Sequence, residues 1–385
     1  MGPGAVDSLR PRPIVFLPDV TGGFAVPEED LGRILRKLEP PSSGMPAALG
    51  LHALIALGLD ARFEGNRLGS GRDLLRLFTD DEFGRAYFGA PLLARTRFGV
   101  RPALDLSSET TKESHYDQTL GCLGQLALPL TLPIRAGGKL LALRDVLRDS
   151  IACFELRQSE IEWTAIAYAS YLPPHRGWTN KFGERYTFDQ IADELLRRDL
   201  TRASCCGCHI VEAVLTLLRV DREVAVVLSP DVRRRLDGRL KECVGAALSR
   251  QEADGSWGPQ WYRDVLPASA VRKVSLRDDP RIESQLLATS HLAHLLMYLP
   301  ERSRGTHDAL TRSEAWIYRV LRDAKSEFIL RHYCPSSHGA WVLRIASSSA
   351  VASPAVPPGP PQRRSTSDSS EESLQDNPSL PDGAS

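Results

Sequence analysis

The hydrophobic pattern divides most of the chain into helical segments of two kinds. Residues 160–172 are apolar around the whole cylinder, carrying Ile161, Trp163, Ala165, Ile166, Ala167, Tyr168, Ala169, Tyr171 and Leu172. A helix without a polar face belongs inside. Residues 187–198 follow with one apolar face, Ile191, Leu195 and Leu196, opened by a capping box of Thr187 with Gln190. Residues 204–220 are again nearly all apolar. Residues 229–251 place Ser229 at the cap and Pro230 in the first turn, and keep Val232, Leu236, Leu240, Cys243, Val244, Ala247 and Leu248 on one face. The span 283–299 is apolar-rich, 308–330 is amphipathic, and 338–346 reads as a last short apolar helix.

An antiparallel bundle would make its helices alike. Alternation of hidden and half-exposed helices instead predicts a mainly α fold in two concentric layers, an α/α toroid (a helical barrel or an open arc of one) over residues 117–346. Ahead of it, residues 1–116 read as an irregular α-rich region. Short helices are expected over 29–38, 46–57 and 73–89, a loop or hairpin over 59–72, and short strands around 96–100. Residues 347–385 are mostly Ser, Pro, Gly and acidic side chains. Such a segment cannot bury enough apolar area to offset its ordering entropy, so a disordered tail is expected.

Charge narrows the partners. Lys plus Arg and Asp plus Glu both number 48, so neither nucleic acid nor an anionic membrane surface is expected to be the main partner. No run of 18 apolar residues occurs, so no membrane span is predicted. The 7 cysteines are odd in number and thinly spread, and no export signal is visible at the N-terminus. Reduced thiols and a cytoplasmic location are the expectation.

The richest chemistry lies in Cys205-Cys206-Gly207-Cys208-His209. The pentad spells C-x-x-C-H, the haem c attachment pattern, which calls for an exported chain. As a zinc site it offers Cys205, Cys208 and His209, with His291 or His294 as a fourth ligand. As plain structure, small buried thiols would let an inner helix pack closely. Further along the same segment His209, Glu212, Thr216 and Arg219 form one polar stripe, and Ser284, His291, His294 and Tyr298 draw a second on a later apolar helix. Glu162 is the acid within the first apolar helix. Facing a common hollow, Glu162, His209, His291 and His294 form a candidate catalytic set, since a His–carboxylate pair serves as general acid or base. The competing expectation is that these groups satisfy one another as buried polar groups must. Loop aromatics Trp178, Trp257, Trp261 and Tyr262 suit the rim of a cavity for an apolar ligand, or the capping of helix ends.

The stretch Gln251-Glu252-Ala253-Asp254-Gly255-Ser256-Trp257 resembles the Q-x3-G-x-W (QW) repeat of squalene and oxidosqualene cyclases. In such a motif the Gln amide ties down helix-terminal backbone, the Gly permits a sharp turn, and the Trp folds back between helices. The resemblance implies the terpenoid cyclase and protein prenyltransferase superfamily, whose fold is an α/α toroid. It implies an apolar small-molecule ligand in a central cavity. The acid motif Asp-x-Asp-Asp and the metal motif Asp-Asp-x-x-Asp/Glu of cyclases are absent, and the prenyltransferase zinc set is not matched. The resemblance therefore implies the scaffold without those chemistries. A non-catalytic scaffold binding a protein partner, through the outer surface or the tail, is the alternative.

Overall fold

Helices dominate the computed structural model, which describes residues 9, 11–19, 24–41, 45–102, 116–262 and 280–350. The N-terminal region contributes α1 (Glu28–Lys37), α2 (Ala47–Leu57), α3 (Gly71–Thr79) and α4 (Asp81–Phe88), then the strands β1 (Leu93–Arg95) and β2 (Val100–Pro102). After residue 116 come α5 (Gln118–Gln125), the hairpin β3 (Pro133–Ala136) with β4 (Lys139–Ala142), α6 (Leu143–Cys153) and α7 (Ile161–Tyr171). A second hairpin, β5 (Gly177–Thr179) with β6 (Arg185–Thr187), leads into α8 (Phe188–Arg197), α9 (Cys208–Glu223) and α10 (Pro230–Ser249). The last helices are α11 (Pro280–Met297), α12 (Arg304–Asp323), α13 (Ser326–Arg331) and α14 (Tyr333–Ala350). All three strand pairs are antiparallel. Among the described residues no helix is long and apolar enough to cross a membrane.

Several elements differ locally from the sequence expectation. The helix expected over 73–89 is two helices, because Asp80 leaves helical backbone (φ −132°, ψ 103°) and its carboxylate accepts the Phe83 N–H at 3.2 Å. A carboxylate acting as N-cap starts a new helix there instead of continuing the old one. The short strands expected near 96–100 form on either side of a turn, β1 over Leu93–Arg95 and β2 from Val100, with the turn closed by the Thr96 N–H donating to the Gly99 carbonyl. The single helix expected over 308–330 ends at Ala324, whose ψ of 138° is extended, and α13 restarts after it. The last helix begins at Tyr333 and runs through 347–350, within the segment expected to be a tail, while 351–385 lie outside the described residues. By contrast the Thr187–Gln190 box forms as expected, with Thr187 N–H donating to Gln190 Oε1 at 2.9 Å.

Packing follows the two helix types. Among the helices that bury most of their side chains, α5 lies against α7, α7 against α9, α9 against α11, α11 against α14, and α14 against α2, which also touches α5. The amphipathic helices sit on these: α8 on α7 and α9, α10 on α8 and α9, α12 on α11 and α14, α1 on α12 and α14. The apolar side chains of α2, from the N-terminal region, belong to the same continuous core as those of α7, α9, α11 and α14.

The Gln251–Trp257 turn joins α10, α11 and α12. Gln251 donates its amide to the carbonyls of Gly255 (3.0 Å) and Ala309 (2.7 Å). Gly255 sits at φ +97°, where a Cβ would come within 2.4 Å of the Arg312 carbonyl oxygen. Trp257 is fully buried, and its indole N–H donates to Ala247 at 2.7 Å while its backbone N–H reaches Thr289 Oγ1 at 2.9 Å.

Candidate functional site

The start of α9 is shaped by three consecutive residues in left-handed backbone: Cys205 (φ 50°), Cys206 (φ 58°) and Gly207 (φ 75°). This region disfavours side chains with a Cβ. The helix expected from residue 204 therefore begins only at Cys208. Gly207 is required, because a Cβ there would lie 2.6 Å from the Leu200 carbonyl oxygen. Outside the turn, the Trp261 indole N–H donates to the Cys206 carbonyl at 2.9 Å.

The turn brings Cys205 over His209, and α11 adds His291. The ligand atoms of these three residues all lie within 4.8 Å of one another. Beside them is a second set with the same spread, His52 from α2 with Cys334 and His338 from α14. The two sets touch. The His291 and His338 rings are 3.9 Å apart between centroids, and the Cys205 and Cys334 side chains are hydrogen-bonded to each other. His209 stands edge-on to His291 at 4.8 Å, and Trp163 of α7 covers its other side at 4.6 Å. His52, His209, His291 and His338 are buried, while both cysteines are half-buried.

Glu212, one turn along α9, connects this cluster to a neighbouring pocket. Its carboxylate pairs with His209 Nδ1 at 3.2 Å and accepts the Gln125 amide at 2.6 Å. Against the cost of burial, the hydrogen-bonded His209 imidazole, itself held well above its ordinary range, keeps Glu212 below the usual carboxylate range. His294 is pushed down to about 4 by burial, and so is neutral. The pocket is small, with a cavity volume of about 60 Å³, and it opens to solvent. Its walls include Ile166, Leu215, Leu295, Tyr298 and Trp341, with Glu212, Thr216, Arg219, Gln125 and His294 as its polar lining. Trp341 stacks on His294 at 4.0 Å. The N-terminal segment crosses the pocket: Ile14 donates its N–H to Ser170, Asp19 donates to Met297, and Phe16 lies under the Arg219 guanidinium.

The candidate residues are thus sorted by place. His209 and His291 stand together in the Cys–His cluster, and His294 faces the pocket three residues on. Glu162 is buried on α7 within electrostatic range of His209, and burial raises its carboxyl above the usual range. It belongs to neither cluster nor pocket lining. Cys205 is a member of the cluster. Cys208 is not: its thiol lies 4.0 Å from the Cys206 carbonyl oxygen, and burial keeps it well above the ordinary thiol range. Of the loop aromatics, Trp178 is fully buried against Phe154, Tyr168 and Phe188.

Comparison with protein-family models, curated proteins and solved structures found no match. The site therefore speaks through its own geometry.

His52, Cys334 and His338 were not singled out from the sequence. One signal was present. Cys334-Pro335-Ser336-Ser337-His338 has the same C-x3-H spacing as Cys205 to His209. On α14 that spacing stacks Cys334 and His338 on one helix face, while Cys205 reaches His209 only through the left-handed turn, and the C-x-x-C spacing drew attention to Cys208.

Proposed function

We propose that the chain is an α/α toroid that binds an apolar small molecule in the pocket between α7, α9, α11 and α14. The inner layer in this reading is α2, α5, α7, α9, α11 and α14, and the outer layer includes α1, α8, α10 and α12. The return of α14 onto α2, and of α2 onto α5, supports it. The observation that carries the ligand reading is the pocket itself, with aliphatic and aromatic walls around a half-buried, ionised carboxylate. Small-molecule sites commonly combine such walls with a few convergent polar groups.

Glu212 with its neighbours Gln125 and His294 would orient a polar end of the ligand, and the apolar walls would take its body. The neutral His294 imidazole beside the Glu212 carboxylate is suited to exchanging a proton with a bound hydroxyl. The resemblance of residues 251–257 to the QW repeat points to terpenoid-like ligands. A prenyl alcohol such as farnesol is accordingly the probe. Titrated into the full chain, farnesol should bind the native protein, and Thr216→Phe, which places a ring in the half-exposed part of the pocket, should abolish binding with helical content unchanged. Equal binding by that variant, or none by the native protein, refutes the reading.

A further inference from the structure

We propose that the Cys–His cluster is a metal site for zinc-class ions, its two touching sets, Cys205 with His209 and His291 and His52 with Cys334 and His338, supplying the ligands. This inference is independent of the apolar-ligand reading, since none of these six residues lines the pocket.

The donor set selects the ion. Two sulfurs and several imidazoles are soft to borderline ligands, suited to zinc and poorly suited to calcium or magnesium. Around a tetrahedral zinc ion the ligand atoms stand about 3.3–3.8 Å from one another, from bond lengths of about 2.0–2.3 Å. Those of Cys205, His209 and His291 already lie within 4.8 Å. Small side-chain rotations close the set, and the hydrogen bond between Cys205 and Cys334 brings the second sulfur alongside the first.

The imidazoles are turned for the task. His291 Nδ1 donates to the Leu287 carbonyl at 2.8 Å, which leaves the lone pair on Nε2. That Nε2 is buried and has no hydrogen-bond partner among the described residues. Both ring nitrogens of His338, also buried, lack one too. Buried polar atoms are ordinarily satisfied, so orphans converging from two helices need a ligand to explain them. His209 Nδ1 is held by Glu212 at 3.2 Å, and its ring also reaches the Cys205 side chain. A carboxylate or carbonyl behind the ligating ring is the usual way a metal-bound histidine is oriented. Glu212 is therefore a positioning residue for His209.

The test uses the full chain purified without chelator. Its zinc content is measured by mass spectrometry, and cobalt(II) is then titrated into chelator-stripped protein. The native protein should carry at least one zinc per chain and give the strong visible absorption of tetrahedral cobalt with a thiolate charge-transfer band. Cys205→Ser and His291→Gln should weaken cobalt binding at least about tenfold, and Cys205→Ser should diminish the thiolate band. Cys205 and Cys334 are only half-buried, so Cys334→Ser gives a second sulfur variant that leaves the core intact, with the same loss expected. Cys208→Ala should retain both metal and spectrum. The proposal is overturned if neither ion binds, if binding survives the Cys205 and His291 changes, or if Cys208→Ala alone removes it.

Discussion

Asp117 offers a quantitative check on the core that surrounds the site. It precedes α5 in left-handed backbone (φ 57°), and its Oδ2 accepts hydrogen bonds from Ser150 Oγ (2.8 Å) and Thr164 Oγ1 (2.7 Å). Burial outweighs these bonds and pushes the carboxyl from its ordinary 3.8 up to about 6, with Asp149 adding to the rise and Arg101 opposing it. The ionised form is thus held in the folded chain at a cost of about 3 kcal/mol. An unfolded chain releases this proton at lower pH, so the folded state binds more protons between 3.8 and about 6. Stability from this group is therefore lost as pH rises through that window. Between pH 5 and pH 8 the loss is on the order of 1 kcal/mol. Asp117→Asn keeps an oxygen that accepts both hydroxyls, tolerates the left-handed backbone, and has no charge to bury. Urea unfolding of both proteins at several pH values is the assay. The stability of Asp117→Asn relative to native should rise by on the order of 1 kcal/mol from pH 5 to pH 8. A difference that stays constant, or changes in the opposite sense, would refute the burial argument.

Two further outcomes follow from the packing. Trp257→Ala should cost about 3–5 kcal/mol of unfolding free energy, whereas Trp257→Phe, which keeps most of the ring and loses the bond to Ala247, should cost markedly less; equal costs for the two would mean that ring packing is not what matters. Gly207→Ala sets a Cβ against Leu200 in left-handed backbone and should lower stability by at least about 1–2 kcal/mol, read from the urea midpoint, with an unchanged midpoint showing that the turn relaxes freely.

The helical segments were largely legible because their signals are local. The Thr187–Gln190 box, Pro230 at the head of α10 and the whole-cylinder apolarity of α7 need nothing beyond a few turns of chain. The errors were local too. Asp80 and Ala324 interrupt apolar periodicity by a change in backbone angle, to which the 3.6-residue repeat is insensitive. The polar stripes of α9 and α11 were also readable, since residues three and four apart share a helix face.

Which groups meet was another matter. Sequence periodicity placed His209 and His291 on faces of two helices, but not which end of each faces the other. It could not bring His52 from α2 to within 5.0 Å of His338 on α14, ring to ring, across nearly the whole length of the chain. Nor did the C-x-x-C spacing foretell that a left-handed turn would aim Cys205 toward Cys334 while Cys208 faced its own helix head. Sequence determines helical period and capping because those depend on neighbours within a turn or two. The grouping of two thiols and four imidazoles depends on how separate helices pack, and only burial of their apolar faces against one another decides that.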